Sequence, residues 1–506
     1  PTDREDAGIS VSDRGLLENP YLLYELDRDT LDPIDFGTVD RGVFPADVVR
    51  KRFPVPAPSG MVDAIDARRV RAVMVQTLEQ AAAEGSSLLP CKWVVSRVRE
   101  RALSPACPLD EDTLAMHGKF VAELVGDAKL ADGSAAMQLD RYVSTRKLIQ
   151  LTVKNRMSAK SKRHAARHDF ARLIDEGLRD PLPADPADRE VELRARQEKS
   201  MALAEIFSSR FSVLIGPAGT GKTTLLRMLC ALPEVQQGGL LLLAPTGKAR
   251  VRLEQQTGKR GSGQTIAQFL LGWERYDIRT GVYRVRPDAA RCADYKTVIV
   301  DESSMLTEDQ LAATIDALEG VERLILVGDP RQLPPIGAGR PFVDIARELA
   351  PADIEVRFPR VAQGYAELTV LRRQEGISRD DLLLAQYFSG RQLDPGADEV
   401  WSRIEAGSSP NLRLVQWSTP EELERRLLEE LVRELKLERL EDEQGLELSL
   451  GGSEYNGQVY FWASRNGAPG AAAKVEAWQI LSPVRAQLHG VDSLNRIIQS
   501  RFRRRA

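Results

Sequence analysis

The chain has 506 residues, too many for one hydrophobic core, which stops growing near ~250–300 residues. Apolar residues make up 42% and charged residues 28%, so wholesale disorder is excluded. Seventy basic residues against 74 acidic ones leave a net charge of −4, which excludes a globally basic nucleic-acid binder but not a local basic groove. From the N-terminus, residues 1–60 are short segments broken by Asn19-Pro20, Asp32-Pro33, Gly37, Gly42 and Pro45, with a linker-like cluster at Pro54, Pro56 and Pro58. Small helices joined by turns fit this pattern. Val70, Val73, Met74 and Leu78 then recur at helical spacing until Gly85. Residues 110–180 read as helical, with a basic stretch from Lys154 to Arg167, and Pro181, Pro183 and Pro186 mark a second linker.

Beyond this linker the pattern becomes α/β. Val213-Leu214-Ile215, Leu240 to Leu243, Val298-Ile299-Val300 and Leu324 to Val327 are apolar strand signals separated by helical stretches, which implies a parallel sheet. Each ends in small or polar residues, where such sheets bind ligands. Tyr276 to Arg286 predicts a hairpin turning at Thr280-Gly281. Thr419-Pro420-Glu421-Glu422 opens a helix whose apolar face runs through Leu423, Leu427, Leu428, Leu431, Val432 and Leu435. Trp478-Gln479-Ile480-Leu481 reads as a strand. The four cysteines show no metal or cluster spacing and read as reduced, buried thiols of a cytoplasmic protein, with no membrane span.

Gly216-Pro217-Ala218-Gly219-Thr220-Gly221-Lys222-Thr223 fits GxxxxGK[ST] between a strand and a helix. Glycines let backbone N–H groups turn toward phosphate oxygens, and the helix N-terminus adds its positive dipole end. Lys222 can reach the β/γ-phosphates and the Thr223 hydroxyl can ligate Mg²⁺, with Thr224 following on the first turn. ATP and Mg²⁺ are therefore the expected ligands. Asp301 is assigned to the metal and Glu302 to the attacking water. Gln332, in Gly328-Asp329-Pro330-Arg331-Gln332-Leu333-Pro334-Pro335, has the donor and acceptor needed to sense a γ-phosphate or its attacking water.

These motifs, with Ala244-Pro245-Thr246-Gly247-Lys248-Ala249 between them and Asp301-Glu302-Ser303-Ser304-Met305 in order, resemble superfamily-one DNA helicases of the RecD-like class, long N-terminus type. Leu368-Thr369 with Arg373-Gln374 resembles that family's next motif, and Gln479-Ile480-Leu481-Ser482-Pro483 a later one. The resemblance implies RecA-like P-loop ATPase domains, each a parallel sheet flanked by helices, preceded by a mainly helical N-terminal region. Its division of the chain is 1–60, a helical-hairpin-like segment; 61–188, a helical N-terminal domain; 189–355, a first RecA-like domain with a hairpin insertion near 274–290; and 356–506, a second RecA-like domain, incomplete at its C-terminus.

By the same resemblance, Gln197 contacts adenine and Arg373 is an arginine finger, with Arg372 beside it as the alternative. Pro245, Thr246, Gly247, Lys248 and Thr265 are DNA-backbone contacts, and the hairpin is either a pin at the strand-separation fork or a solvated hairpin whose aromatics pack on the domain. The implied activity is ATP-driven movement on single-stranded DNA, 5′→3′, at duplex junctions and with protein partners in a repair or recombination complex. The alternative is a regulatory P-loop ATPase that remodels protein–DNA complexes without unwinding. The family's SQG-like and YTALTRA-like motifs do not appear before Ala506, so this chain is expected to be a fragment of a longer one.

Overall fold

The computed structural model describes residues 11–158, 164, 168–178, 181–217, 219–370, 380–388, 398–463, 470–471 and 477–502. It divides into two compact units, Pro1–Glu375 and Gly376–Ala506.

Among the described residues the first unit opens with four short helices, Asp13–Glu18, Leu22–Asp27, Phe36–Val43 and Asp47–Arg52, followed by the longer Ala67–Ala83. Ser12, Asp35 and Asp66 accept N-terminal N–H groups as caps. Val70, Val73, Met74 and Leu78 are buried as their spacing predicts, and Gly85, in the left-handed region at φ 103°, ends the helix. Two arginines share that buried face and each is matched: Arg69 grips Asp40 at 2.8 Å, and Arg71 grips Glu25 at 2.6 Å.

Residues 61–188 are not helical throughout. β1 (Leu89–Pro90), β2 (Val125–Lys129) and β3 (Ala135–Leu139) form an antiparallel sheet in the order β1-β3-β2. The β2–β3 turn is made by Asp132-Gly133-Ser134, where Gly133 takes φ 82° and the Asp132 carboxylate accepts the Ser134 N–H at 2.9 Å. Helix Asp140–Met157 follows. Within the expected basic stretch, Arg156 points inward and donates to the carbonyls of Arg210 (3.1 Å) and Val321 (3.0 Å). Lys160, Lys162, Arg163 and Arg167 lie outside the described residues.

All four predicted strands form: β4 (Phe211–Ile215), β5 (Leu240–Ala244), β7 (Thr297–Val300) and β8 (Arg323–Gly328). With β6 (Gly263–Thr265), β9 (Arg360–Ala362) and β10 (Tyr365–Glu367) they make one sheet, ordered β6-β5-β7-β8-β4-β10-β9. Every pairing is parallel except that of β9 with β10. Period-2 alternation feeds two cores: Val213, Leu241, Val298 and Leu326 on one face, and Leu214, Leu242, Ile299 and Val327 on the other. Because β10 lies in register beside β4, the expected boundary between 355 and 356 falls too early; β9 and β10 belong to the first unit's sheet.

In the second unit, helix Pro420–Glu434 is capped by Thr419, which accepts the Glu422 N–H at 3.2 Å. The Glu422 carboxylate accepts from Ser418 rather than closing the box on Thr419. Leu428 and Leu431 join Leu437, Leu446 and Phe502 in a small core. Trp478 to Leu481 is not a strand: Trp478 packs on this core and its indole N–H donates to Ser449 at 3.1 Å. Among the described residues of this unit, the strands are β11 (Ser453–Tyr455) and β12 (Gln458–Tyr460), an antiparallel pair. The parallel sheet expected over 356–506 is not among them.

Candidate nucleotide site and nucleic-acid face

β4 runs into the glycine-rich loop, and helix Lys222–Ala231 leaves it. Gly219 and Gly221 take φ 85° and 92°, left-handed values that side chains resist. Gly216 is buried, and a Cβ there would stand 2.7 Å from the Thr220 hydroxyl and 3.1 Å from the Leu368 carbonyl. Thr220 is itself buried and donates to the Pro217 carbonyl at 2.9 Å. The Lys222 ammonium folds back across the loop, donating to the carbonyls of Gly216 and Pro217. Thr223 and Thr224 lie half-buried on the first helical turn. Ala218 is outside the described residues.

Sheet order explains what surrounds the loop. β7, β8 and β4 are neighbours, so their carboxyl ends converge. β7 delivers Asp301 and Glu302, and β8 delivers Asp329 and the loop to Gln332. Burial, with the Glu302 charge adding to it, pushes the Asp301 carboxyl up to about 6; Lys222 and Arg252 pull the other way. Glu302 takes φ 51°, a left-handed position for a non-glycine residue, and starts the tight turn Ser303–Met305. Burial pushes the Lys222 ammonium below its usual pKa, against the charges of Asp329, Asp301 and Glu302. Gln332 is exposed, its N–H held by the Asp329 carbonyl at 3.0 Å.

The residues expected to hold a metal, Asp301 and Thr223, would offer hard oxygens, a carboxylate and a hydroxyl. Among the described residues no group of three or more His, Cys, Asp or Glu could hold an ion. That set fits Mg²⁺, which keeps most of its waters and takes one or two protein oxygens beside the phosphates it accompanies.

Gln197 lies on helix Pro186–Ser208 with its side chain exposed. Its neighbours Glu198 and Lys199 turn inward, and the Lys199 Cε would be 2.9 Å from a Cβ on Gly221. Arg373, with Arg372 and Gln374, falls outside the described residues.

The expected DNA contacts lie at the other end of the sheet. β5 and β6 are parallel neighbours, with Ala244 opposite Thr265. Thr246 caps helix Gly247–Thr257, and Thr265 caps helix Ile266–Gly272 in a full capping box with Gln268. Each threonine oxygen accepts a backbone N–H, at 3.2 Å from Ala249 and 3.1 Å from Gln268. Thr246, Gly247 and Lys248 are exposed, while Pro245 and Thr265 are half-buried.

The hairpin forms with its turn at Thr280-Gly281, where the Gly281 N–H donates to the Asp277 carbonyl at 2.8 Å. Tyr276 and Tyr283 stack on each other with ring centroids 4.5 Å apart and pack against the sheet's core. Arg279 and Ile278 are exposed near its tip.

Two groups near the loop had a sequence signal but were given no role from the sequence. Asp329 follows β8 as Asp301 follows β7, and it is 6% exposed. Arg252 stands four residues after Lys248 on one helix face and bears electrostatically on both Lys222 and Asp301.

Residues 192–379 match a family model described as an AAA domain. The ATP-dependent RecD2 DNA helicase of Deinococcus radiodurans is 33% identical over 219 residues, covering 42% of this chain and 28% of that protein. The RecBCD enzyme subunit RecD of Mycolicibacterium smegmatis is 32% identical over 197 residues, 35% of this chain and 33% of that one. An uncharacterized Methanocaldococcus jannaschii protein is 34% identical over 172 residues, 32% of this chain and 14% of its own length. Among solved structures, the Pif1 helicase from Candida albicans matches at 20% identity and a TM-score of 0.29, over 46% of this chain and 53% of that one. The chain thus spans 33% or less of the length of each of these three relatives.

Proposed function

From a chain whose P-loop segment is RecD-like in sequence, we propose an ATP-dependent DNA helicase or translocase that couples ATP hydrolysis to movement on single-stranded DNA, 5′→3′. The supporting observation is the convergence of Lys222 with Asp301, Glu302 and Asp329 at three adjacent strand ends. In this reading the loop amides from Gly216 to Thr223 orient the phosphates, and Lys222 exchanges its two carbonyl partners for phosphate oxygens. Thr223 and Asp301 would hold Mg²⁺, which would supply charge neutralisation on the transferring phosphoryl group. Glu302 takes the proton of the attacking water while Gln332 orients that water. Arg373 is assigned by the resemblance to charge stabilisation on the same group.

Exposed Thr246, Gly247 and Lys248, with Thr265 beside them, offer a track for the DNA backbone. RecD is named as a subunit of the RecBCD enzyme, and protein partners in a repair or recombination complex are proposed on that basis. Among the described residues no helix is long and apolar enough to cross a membrane.

The test is ATP turnover with and without single-stranded DNA, alongside strand separation on 5′-tailed, 3′-tailed and blunt duplexes. DNA-stimulated turnover and opening of the 5′-tailed substrate are expected. Lys222→Ala should lower turnover by at least about a hundredfold while single-stranded DNA still binds. Equal turnover in that variant would remove the assignment. Turnover with no opening of any duplex would favour the remodelling ATPase instead.

A further inference from the structure

Glu198 is fully buried on helix Pro186–Ser208, and its carboxylate does not serve that helix. One oxygen accepts the Thr369 N–H at 2.7 Å and the Thr369 hydroxyl at 2.6 Å; the other accepts the Val370 N–H at 3.2 Å. Both N–H groups come just after β10 ends at Glu367, where the ladder no longer supplies acceptors. The segment so held lies beside the phosphate loop. Leu368 donates its N–H to the Ile215 carbonyl at 2.8 Å, and its own carbonyl lies close against Gly216, 3.1 Å from where a Cβ would stand. The next residue on the helix, Lys199, lays its stem against Gly221 at the loop's other end.

We infer that Glu198 is a positioning residue of the nucleotide site: by fixing Leu368 to Val370 against Gly216, it holds the phosphate loop in the shape that presents its amides to a triphosphate. This rests on the nucleotide reading above. The demand is for a carboxylate rather than any polar side chain. Three donors converge on it, and a glutamine has one acceptor oxygen; its amide N–H would oppose the Val370 N–H. A side chain that merely closed a strand end would leave the loop indifferent to that change.

The experiment compares wild type, Glu198→Gln and Thr369→Val, using mant-ATP binding, kcat and KM for ATP, single-stranded DNA affinity without nucleotide, and Tm. Glu198→Gln should weaken mant-ATP binding about tenfold and raise KM in step, with Tm lowered by no more than about 2 °C and DNA affinity within about twofold. Thr369→Val should produce part of the same loss, and the pair should be less than additive because both act through one contact. Two results would overturn the inference: a folded Glu198→Gln with wild-type nucleotide affinity, or losses in Tm and DNA affinity as large as the loss in nucleotide binding. A wild-type chain that binds no mant-ATP sinks the nucleotide reading and this inference together. A wild type that binds and hydrolyses, matched by Glu198→Gln, sinks only the inference.

Discussion

Gly221 combines two constraints that no other residue satisfies at that position. Its φ of 92° is left-handed, and a Cβ would meet the Lys199 Cε at 2.9 Å. An alanine there carries about 1–2 kcal/mol of backbone strain, and relieving the contact displaces either the loop or Lys199. Gly221→Ala is therefore expected to weaken mant-ATP binding at least about tenfold while Tm changes little, because the loop tip is not core. Wild-type affinity in that variant would mean the loop tolerates the shift. At this scale the sequence was informative wherever chemistry depends on local spacing. Gly216 to Thr223, Asp301, Glu302 and Gln332 are each a short string at a strand end, and strand ends follow from apolar runs. Glu198 was not legible, since its partners Thr369 and Val370 are more than 170 residues away and join it only through the pairing of β10 with β4.

The hairpin shows what sequence reading resolves at the scale of an element. Thr280-Gly281 between Tyr276 and Tyr283 is turn chemistry flanked by strand formers, and the hairpin forms there. Its anchor was hidden. Arg275, one residue before the predicted hairpin, carries no motif signal, yet it is fully buried. It pairs with Asp316 at 3.0 Å and donates to the carbonyls of Trp273, Arg286, Ala289 and Ala290, clamping both feet of the hairpin to helix Glu308–Asp316. Asp316 also accepts the Arg286 N–H at 2.8 Å. Arg275→Met leaves that carboxylate buried without its main partner and should cost about 3–5 kcal/mol in urea unfolding. Hydrogen exchange should rise from Tyr276 to Arg291 while the phosphate loop stays protected. Uniformly raised exchange would show the clamp to be global rather than local. The opposite error occurred at β2 and β3, where Asp132-Gly133 was a hairpin signal masked by helical surroundings. At Trp478 to Leu481, apolar residues that serve a helical core mimicked a strand.

Across the first unit, the N-terminal region and the seven-stranded sheet meet over a pair of carboxylates. Glu308 accepts from Thr145 at 3.3 Å and from Ser87, and its backbone N–H donates to the Ala338 carbonyl at 3.0 Å, in the loop that follows Gln332. Close by, the Gly339 N–H donates to the Gly85 carbonyl at 3.1 Å. Burial pushes the Glu308 carboxyl up to about 7; Ser87, Thr145 and Arg146 oppose that, and Asp309 adds to it. Burial pushes Asp309 itself to about 6, against Arg141 and Tyr142 and with Glu79 and Asp29. Both folded values exceed the ordinary carboxylate range, so between about pH 4 and 7 the native state holds protons that the unfolded chain has lost. The contribution of these groups is fully present below that window and is lost as pH rises through it. Glu308→Gln imitates the protonated form. It should match wild type at pH 5 and exceed it at pH 8 by about 1–2 kcal/mol, the full pKa shift being discounted for the solvent that reaches a half-buried side chain. Urea midpoints for both proteins at pH 5, 6.5 and 8 decide this. Curves that stay parallel would mean that Glu308 ionises without cost, and that the junction between the N-terminal region and the sheet is open to water.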